Sequence, residues 1–193
     1  HDPNHISRGL PRRAGLLLGL LMLTLLASLW PPRHACAQTA PESRLAFAAR
    51  VDGNWDIFSI RPDGSDLRRI TTDPAEDRAP AYSPDGTRLL FQSRRDGNWE
   101  LYCLDLATGD LTRLTHHQAY DGMPAWSPDG QQIAFESMRA DDLDIFVMSA
   151  AGEFPHNLTA ESPAGDIEPA WSPDGSRIAF ATWREQDKDI YSM

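Results

Sequence analysis

Carboxylates supply most of the chemistry this sequence could offer, and they recur at fixed intervals. Asp85, Asp129 and Asp174 each sit in the tetrapeptide Ser-Pro-Asp-Gly, at 83–86, 127–130 and 172–175, so the unit returns after 44 and then 45 residues. A periodic carboxylate could serve as an acid or base, but its neighbours point elsewhere. Serine first, proline where a φ of about −65° is wanted and glycine last describe a type I turn, whose aspartate caps the turn's own backbone. Pro84, Asp85, Gly86, Pro128, Asp129, Gly130, Pro173, Asp174 and Gly175 are therefore read as structural. A second set, Asp77, Asp121 and Asp166, stands three residues before Pro80, Pro124 and Pro169. These three are the candidate binding residues. Grouped around an axis, they could hold a cation or the basic groups of a partner; the competing use is to cap their own loops through backbone N–H groups.

The other reactive residue types do not converge. Of the six histidines, His1, His5 and His34 lie near the start, and His116-His117 are adjacent, without the spacing of a zinc site. No Gly-x-Ser-x-Gly elbow occurs. Catalytic residues, metal ligands and cofactors are accordingly assigned to none of the chain. Cys103, on an apolar run, reads as a small buried hydrophobe. Asn157-Leu158-Thr159 matches a glycosylation acceptor, but its threonine belongs to a recurring Leu-Thr column, which makes the match incidental.

Charge is uneven along the 193 residues. The formal net charge is −10, and after position 37 there are 27 acids against 14 bases. That balance repels phosphate backbones and anionic headgroups, so nucleic acid is excluded as a partner. Arg8, Arg12 and Arg13 precede an uncharged, leucine-dominated run from Ala14 to Trp30, followed by Ala35-Cys36-Ala37. This order reads as a signal peptide over 1–37, cleaved before Gln38, with an uncleaved membrane anchor as the alternative. Residues 38–43 read as a short linker.

The periodic carboxylates must be positioned by periodic elements, and the columns around them are apolar. Pro80-Ala81-Tyr82, Pro124-Ala125-Trp126 and Pro169-Ala170-Trp171 precede the turn. Leu89-Leu90-Phe91, Ile133-Ala134-Phe135 and Ile178-Ala179-Phe180 follow it, with Leu45-Ala46-Phe47 as an earlier copy. Then come Asp56-Ile57-Phe58, Glu100-Leu101-Tyr102, Asp144-Ile145-Phe146 and Asp189-Ile190-Tyr191, and Ile70-Thr71, Leu114-Thr115 and Leu158-Thr159 close the units. Short apolar runs between turn residues predict strands, four to a repeat. The fold class expected is all-β: a partial propeller of about three and a half four-stranded antiparallel blades, its fourteen strands divided three, four, four and three. Such a count leaves edges open and suggests an open arc from a longer propeller.

The combined motif resembles the TolB-like propeller repeat, a relative of the WD-repeat blade, and the resemblance covers Arg44 to Met193. It implies an exported, periplasmic or extracellular interaction module, not an enzyme as given, whose partner is a protein, a peptide or a cell-envelope component. The alternative it implies is the propeller portion of a longer prolyl-oligopeptidase-type serine peptidase. In either case the working surface is expected on the face that collects the longer connections, 51–54, 72–79, 95–98, 116–122, 139–142, 160–167 and 184–187, opposite the Ser-Pro-Asp-Gly turns.

Overall fold

A computed structural model describes residues 43–184 and 187–193. The predicted signal peptide and most of the linker lie outside the described residues, among which no helix is long and apolar enough to cross a membrane. The described chain is built from strands alone: β1 (Leu45–Val51), β2 (Asn54–Ile60), β3 (Arg68–Arg69), β4 (Asp77–Tyr82), β5 (Arg88–Ser93), β6 (Glu100–Asp105), β7 (Leu111–Arg113), β8 (Asp121–Trp126), β9 (Gln132–Ser137), β10 (Asp144–Ser149), β11 (His156–Asn157), β12 (Asp166–Trp171), β13 (Ile178–Thr182) and β14 (Asp189–Ser192). They form antiparallel sheets in the orders β1-β2-β3, β4-β5-β6-β7, β8-β9-β10-β11 and β12-β13-β14. This is the expected partial propeller. Successive sheets pack on one another, β1 against β4, β5 against β8 and β9 against β12.

Each Ser-Pro-Asp-Gly turn is closed three ways. The glycine N–H donates to the serine carbonyl at 2.8 to 2.9 Å in all three copies, and the glycines take φ of 68°, 68° and 71°, which a Cβ would resist. The serine hydroxyl donates to the aspartate (2.5, 2.6 and 2.6 Å) and accepts the N–H of Arg88, Gln132 or Arg177. The aspartate also accepts a backbone N–H two residues on. Turns of neighbouring blades nest: a methyl on Gly130 would lie 3.6 Å from Cδ of Pro84, and one on Gly175 at the same distance from Pro128.

These bonds carry a pH signature. The Ser83 hydroxyl, then the Thr87 N–H, holds Asp85 down to about 2, and Ser172 with Ser176 does the same for Asp174. A carboxylate whose folded pKa is depressed stabilises the fold above its unfolded value, and that stabilisation is lost as pH falls through the folded value. The urea midpoint should therefore drop between pH 4 and pH 2, and an Asp85→Asn/Asp174→Asn chain should show a flatter decline over that window. An equal slope in the two proteins would refute the assignment.

The Leu-Thr column closes each blade. Thr71, Thr115 and Thr159 are buried, and their hydroxyls accept the N–H of Ile57, Leu101 and Ile145 at 2.9 to 3.0 Å. The acid one residue before that N–H, in β2, β6 and β10, is held from the outer strand: Asp56 by Arg69, Glu100 by Arg113, Asp144 by Asn157. The Asn157 amide is thus committed inside its own blade. Across β1–β2, β5–β6, β9–β10 and β13–β14 the aromatic columns pair, Phe47–Phe58, Phe91–Tyr102, Phe135–Phe146 and Phe180–Tyr191, with centroids 5.7 to 6.3 Å apart. Cys103 is buried among Leu90, Leu101 and Leu114, and burial pushes its thiol up.

Candidate functional site: the loop face

Asp77, Asp121 and Asp166 open β4, β8 and β12, the first strands of their sheets, and none is solvent-exposed. Each pairs with an arginine 18 residues on: Arg95 reaches both oxygens of Asp77 at 3.1 and 3.2 Å, while Arg139 and Arg184 reach Asp121 and Asp166 at 2.7 Å. The guanidinium carbon lies over the blade's two aromatic rings at 4.8 and 5.4 Å for Arg95, 5.3 and 5.6 Å for Arg139, and 5.2 and 5.3 Å for Arg184. All three candidate carboxylates are thus engaged by an arginine of their own blade. A carboxylate removed from water needs a paired charge, and the arginine of the second hairpin supplies it. Burial pushes Asp77 up, opposed by hydrogen bonds from Ser93 and Thr71 and by Arg95. In the first sheet the arginine's place is taken by Val51.

Just inside these pairs the first strands bulge. The β4–β5, β8–β9 and β12–β13 registers shift at the bulge, and Ala79, Met123 and Glu168 take φ of 50°, 47° and 56°. The N–H this exposes is met from the preceding blade: Met123 donates to Gln92 Oε1 at 2.8 Å, and Glu168 to Glu136 Oε1 at 2.6 Å. The Tyr120 hydroxyl donates to Glu136 Oε2 at 3.2 Å. It can do so because Gly122 has no side chain; a Cβ there would meet the tyrosine oxygen at 2.2 Å. Burial pushes Glu136 up against the hydrogen bonds from Glu168 and Tyr120, and pushes Tyr120 up as well, reinforced by Glu136.

A raised folded pKa on a carboxyl means that stability is full below the unfolded value, about 4.5, and declines as pH rises through the folded one. Glu136→Gln keeps an acceptor for the Glu168 N–H and removes the charge. It should match the parent at pH 4 and unfold at higher urea at pH 7; a variant weaker at pH 7 than at pH 4, relative to parent, would contradict this.

The loop face also departs from the repeat. Arg78 in β4 lies over the Trp55 ring at 4.5 Å and near Trp99 at 5.8 Å, and Arg94 approaches Trp99 at 5.7 Å. The tryptophans end two copies of Asp-Gly-Asn-Trp, at 52–55 and 96–99. Each asparagine pins the loop between blades: Asn54 Nδ2 donates to the carbonyls of Asp73 and Ala75 (2.8 and 3.2 Å), Asn98 Nδ2 to those of His117 and Ala119 (2.8 and 3.0 Å). The third and fourth sheets carry Leu143 and Lys188 where the tryptophans stand, and Gly122 and Ile167 where Arg78 stands. Sequence reasoning stopped at Asn54 and Asn98, one residue short; the duplicated tetrapeptide was the available signal. His117 Nδ1 accepts the Ala119 N–H at 3.1 Å and helps shape the same loop. Among the described residues no group of three or more His, Cys, Asp or Glu is arranged to hold a metal.

Two family models match. The tricorn protease N-terminal β-propeller domain covers residues 42–143, and the TolB β-propeller domain covers 117–193. No curated protein matches. Among solved structures the chain is similar to TolB from Acinetobacter baumannii at 22% identity and a TM-score of 0.71, over 79% of this chain and 39% of that one. A TolB-type protein from Agrobacterium tumefaciens matches at 27% identity and 0.70, over 78% of this chain and 57% of that one. Puromycin hydrolase matches in fold at 16% identity and 0.62, over 78% of this chain and 25% of that one. The chain thus spans well under two thirds of each. It belongs to the family of tricorn protease N-terminal β-propeller domains, and its blades are TolB-like.

Proposed function

We propose that this chain is an exported, non-catalytic binding module that engages a protein, peptide or envelope component through its loop face. One observation carries the reading. Side chains that recur in every full blade are consumed in internal pairs, Asp with Arg, Ser with Asp, Thr with backbone, whereas Trp55, Arg78 and Trp99 break the repeat and stand together on the loop face. Irregular loops on a rigid scaffold are where recognition concentrates. Export is supported by the basic, apolar and Ala-x-Ala order of residues 8–37. The test is a photo-crosslinking residue placed at His116 on the loop face, or at Gln131 on the turn face, in the full chain expressed with its leader. Adducts in the envelope fraction from position 116 and not from 131 are expected; adducts from 131 alone would overturn the proposal.

A second reading is favoured by the match to the tricorn propeller domain and the fold shared with puromycin hydrolase: the chain is the propeller part of a peptidase. A Gly-x-Ser-x-Gly elbow encoded in frame beyond Met193 would support it, and further blades followed by a stop codon would support the first reading.

A further inference from the structure

We propose that Trp55, Arg78, Trp99 and Arg94 form a site for an acidic peptide segment, one that carries a side-chain carboxylate next to an apolar residue. This deepens the loop-face reading above and rests on it.

The argument begins with how Arg78 is held. Its guanidinium stacks on Trp55 with Trp99 close by, so one planar face is covered and the edge is what a ligand can use. The edge is half used. Glu76 takes Nη2 at 3.0 Å, while Nε is buried and has no hydrogen-bond partner. Nε is enclosed and out of a ligand's reach, so a ligand carboxylate is received at the exposed terminal edge of the guanidinium, where Glu76 now sits. Glu76 is about one third exposed (37%), so a better-placed carboxylate can displace it.

Arg94 supplies the second positive charge. It is exposed, lies near Trp99, and among the described residues makes no ion pair with an acid. Arg78 and Arg94 thus bring two guanidinium groups to the same tryptophan. Trp55 and Trp99 are both partly exposed and add apolar surface between and beside the two guanidinium groups. Isolated carboxylates with apolar neighbours match this alternation of ring and cation. A dense polyanion does not, because the acidic surroundings repel it.

The test uses the full chain and reads tryptophan fluorescence. The probe is the blocked peptide acetyl-Ala-Phe-Asp-Ala-Ala-amide, compared with its Asn counterpart and with an oligogalacturonate as a carboxylate of another class. The Asp peptide should bind about tenfold more tightly than the Asn peptide, and raising salt should narrow the difference. Arg94→Gln and Arg78→Gln should each cost about tenfold in affinity for the Asp peptide and little for the Asn peptide. Arg177→Gln, an exposed arginine on the turn face, should change neither. Because Arg78 also packs between the rings, Arg94→Gln is the decisive variant if Arg78→Gln lowers the melting temperature. Equal binding of the two peptides, no binding of either up to about 5 mM, or tighter binding of the oligogalacturonate would each overturn the proposal. Adducts at position 116 with no preference for the Asp peptide would leave the loop-face reading standing and remove this one; absence of both would remove both.

Discussion

Asp121→Ala is expected to destabilise the chain by about 3–5 kcal/mol, the range for removing one partner of a buried ion pair. Asp121 is fully enclosed, and Arg139 keeps only 17% of its side chain exposed while lying over Phe135 and Phe146. Without the carboxylate, that guanidinium stays among aromatic rings with no charge opposite it, and its Nε already has no hydrogen-bond partner. Asp121→Asn keeps shape and an acceptor and should cost about half as much. Removing both charges, with Asp121→Asn and Arg139→Met, should cost less than the sum of the single changes, because the second substitution removes the stranded charge. Urea denaturation of the four proteins at pH 7 measures all of this. An Asp121→Ala cost below about 1 kcal/mol would show that the buried pair contributes little to stability.

Phe135→Ala should be comparably damaging, at about 3–5 kcal/mol, and the same change at Phe47 should cost about 1–2 kcal/mol. Both phenylalanines occupy one column of the repeat and pack against the aromatic ring of the following column. Phe135 is wholly buried, in a cluster with Leu90, Leu101, Leu114 and Trp126, so its ring leaves a cavity that rigid sheets on two sides cannot fill. Phe47 is 38% exposed, and water can take up much of the space it vacates. Identical residues at identical repeat positions should therefore differ by a factor of two or more in cost, read from denaturation midpoints at constant slope. Equal costs would mean that the first sheet is packed as tightly as the third.

How much was legible beforehand followed from whether a feature is local and repeated. The fourteen strands, their division among four sheets and the turns at 83–86, 127–130 and 172–175 could all be read, because adjacent residues determine a turn and the columns announce a strand. The positions of Asp77, Asp121 and Asp166 could be read, but their partners could not. Arg95, Arg139 and Arg184 lie 18 residues away across a hairpin, and only the pleat brings carboxylate and guanidinium together. Likewise nothing in Ala79, Met123 or Glu168 announces a positive φ before a proline; that conformation is imposed by the bulge. The Trp55–Arg78–Trp99 cluster was hidden for the opposite reason: a search for agreement among repeats passes over positions where they disagree.

The nesting of Pro84 against Gly130, and of Pro128 against Gly175, bears on how such a molecule can arise. The contact is head-to-tail, a proline of one unit against a glycine of the next, and both residues belong to the same tetrapeptide. A stretch of DNA encoding one unit, copied in tandem, therefore brings a complete donor and acceptor surface with it. Unequal crossing-over could lengthen or shorten the array without any compensating substitution at this contact. By contrast, Trp55 and Trp99 need Arg78 between them, so a duplication at that point would separate the three residues that must meet.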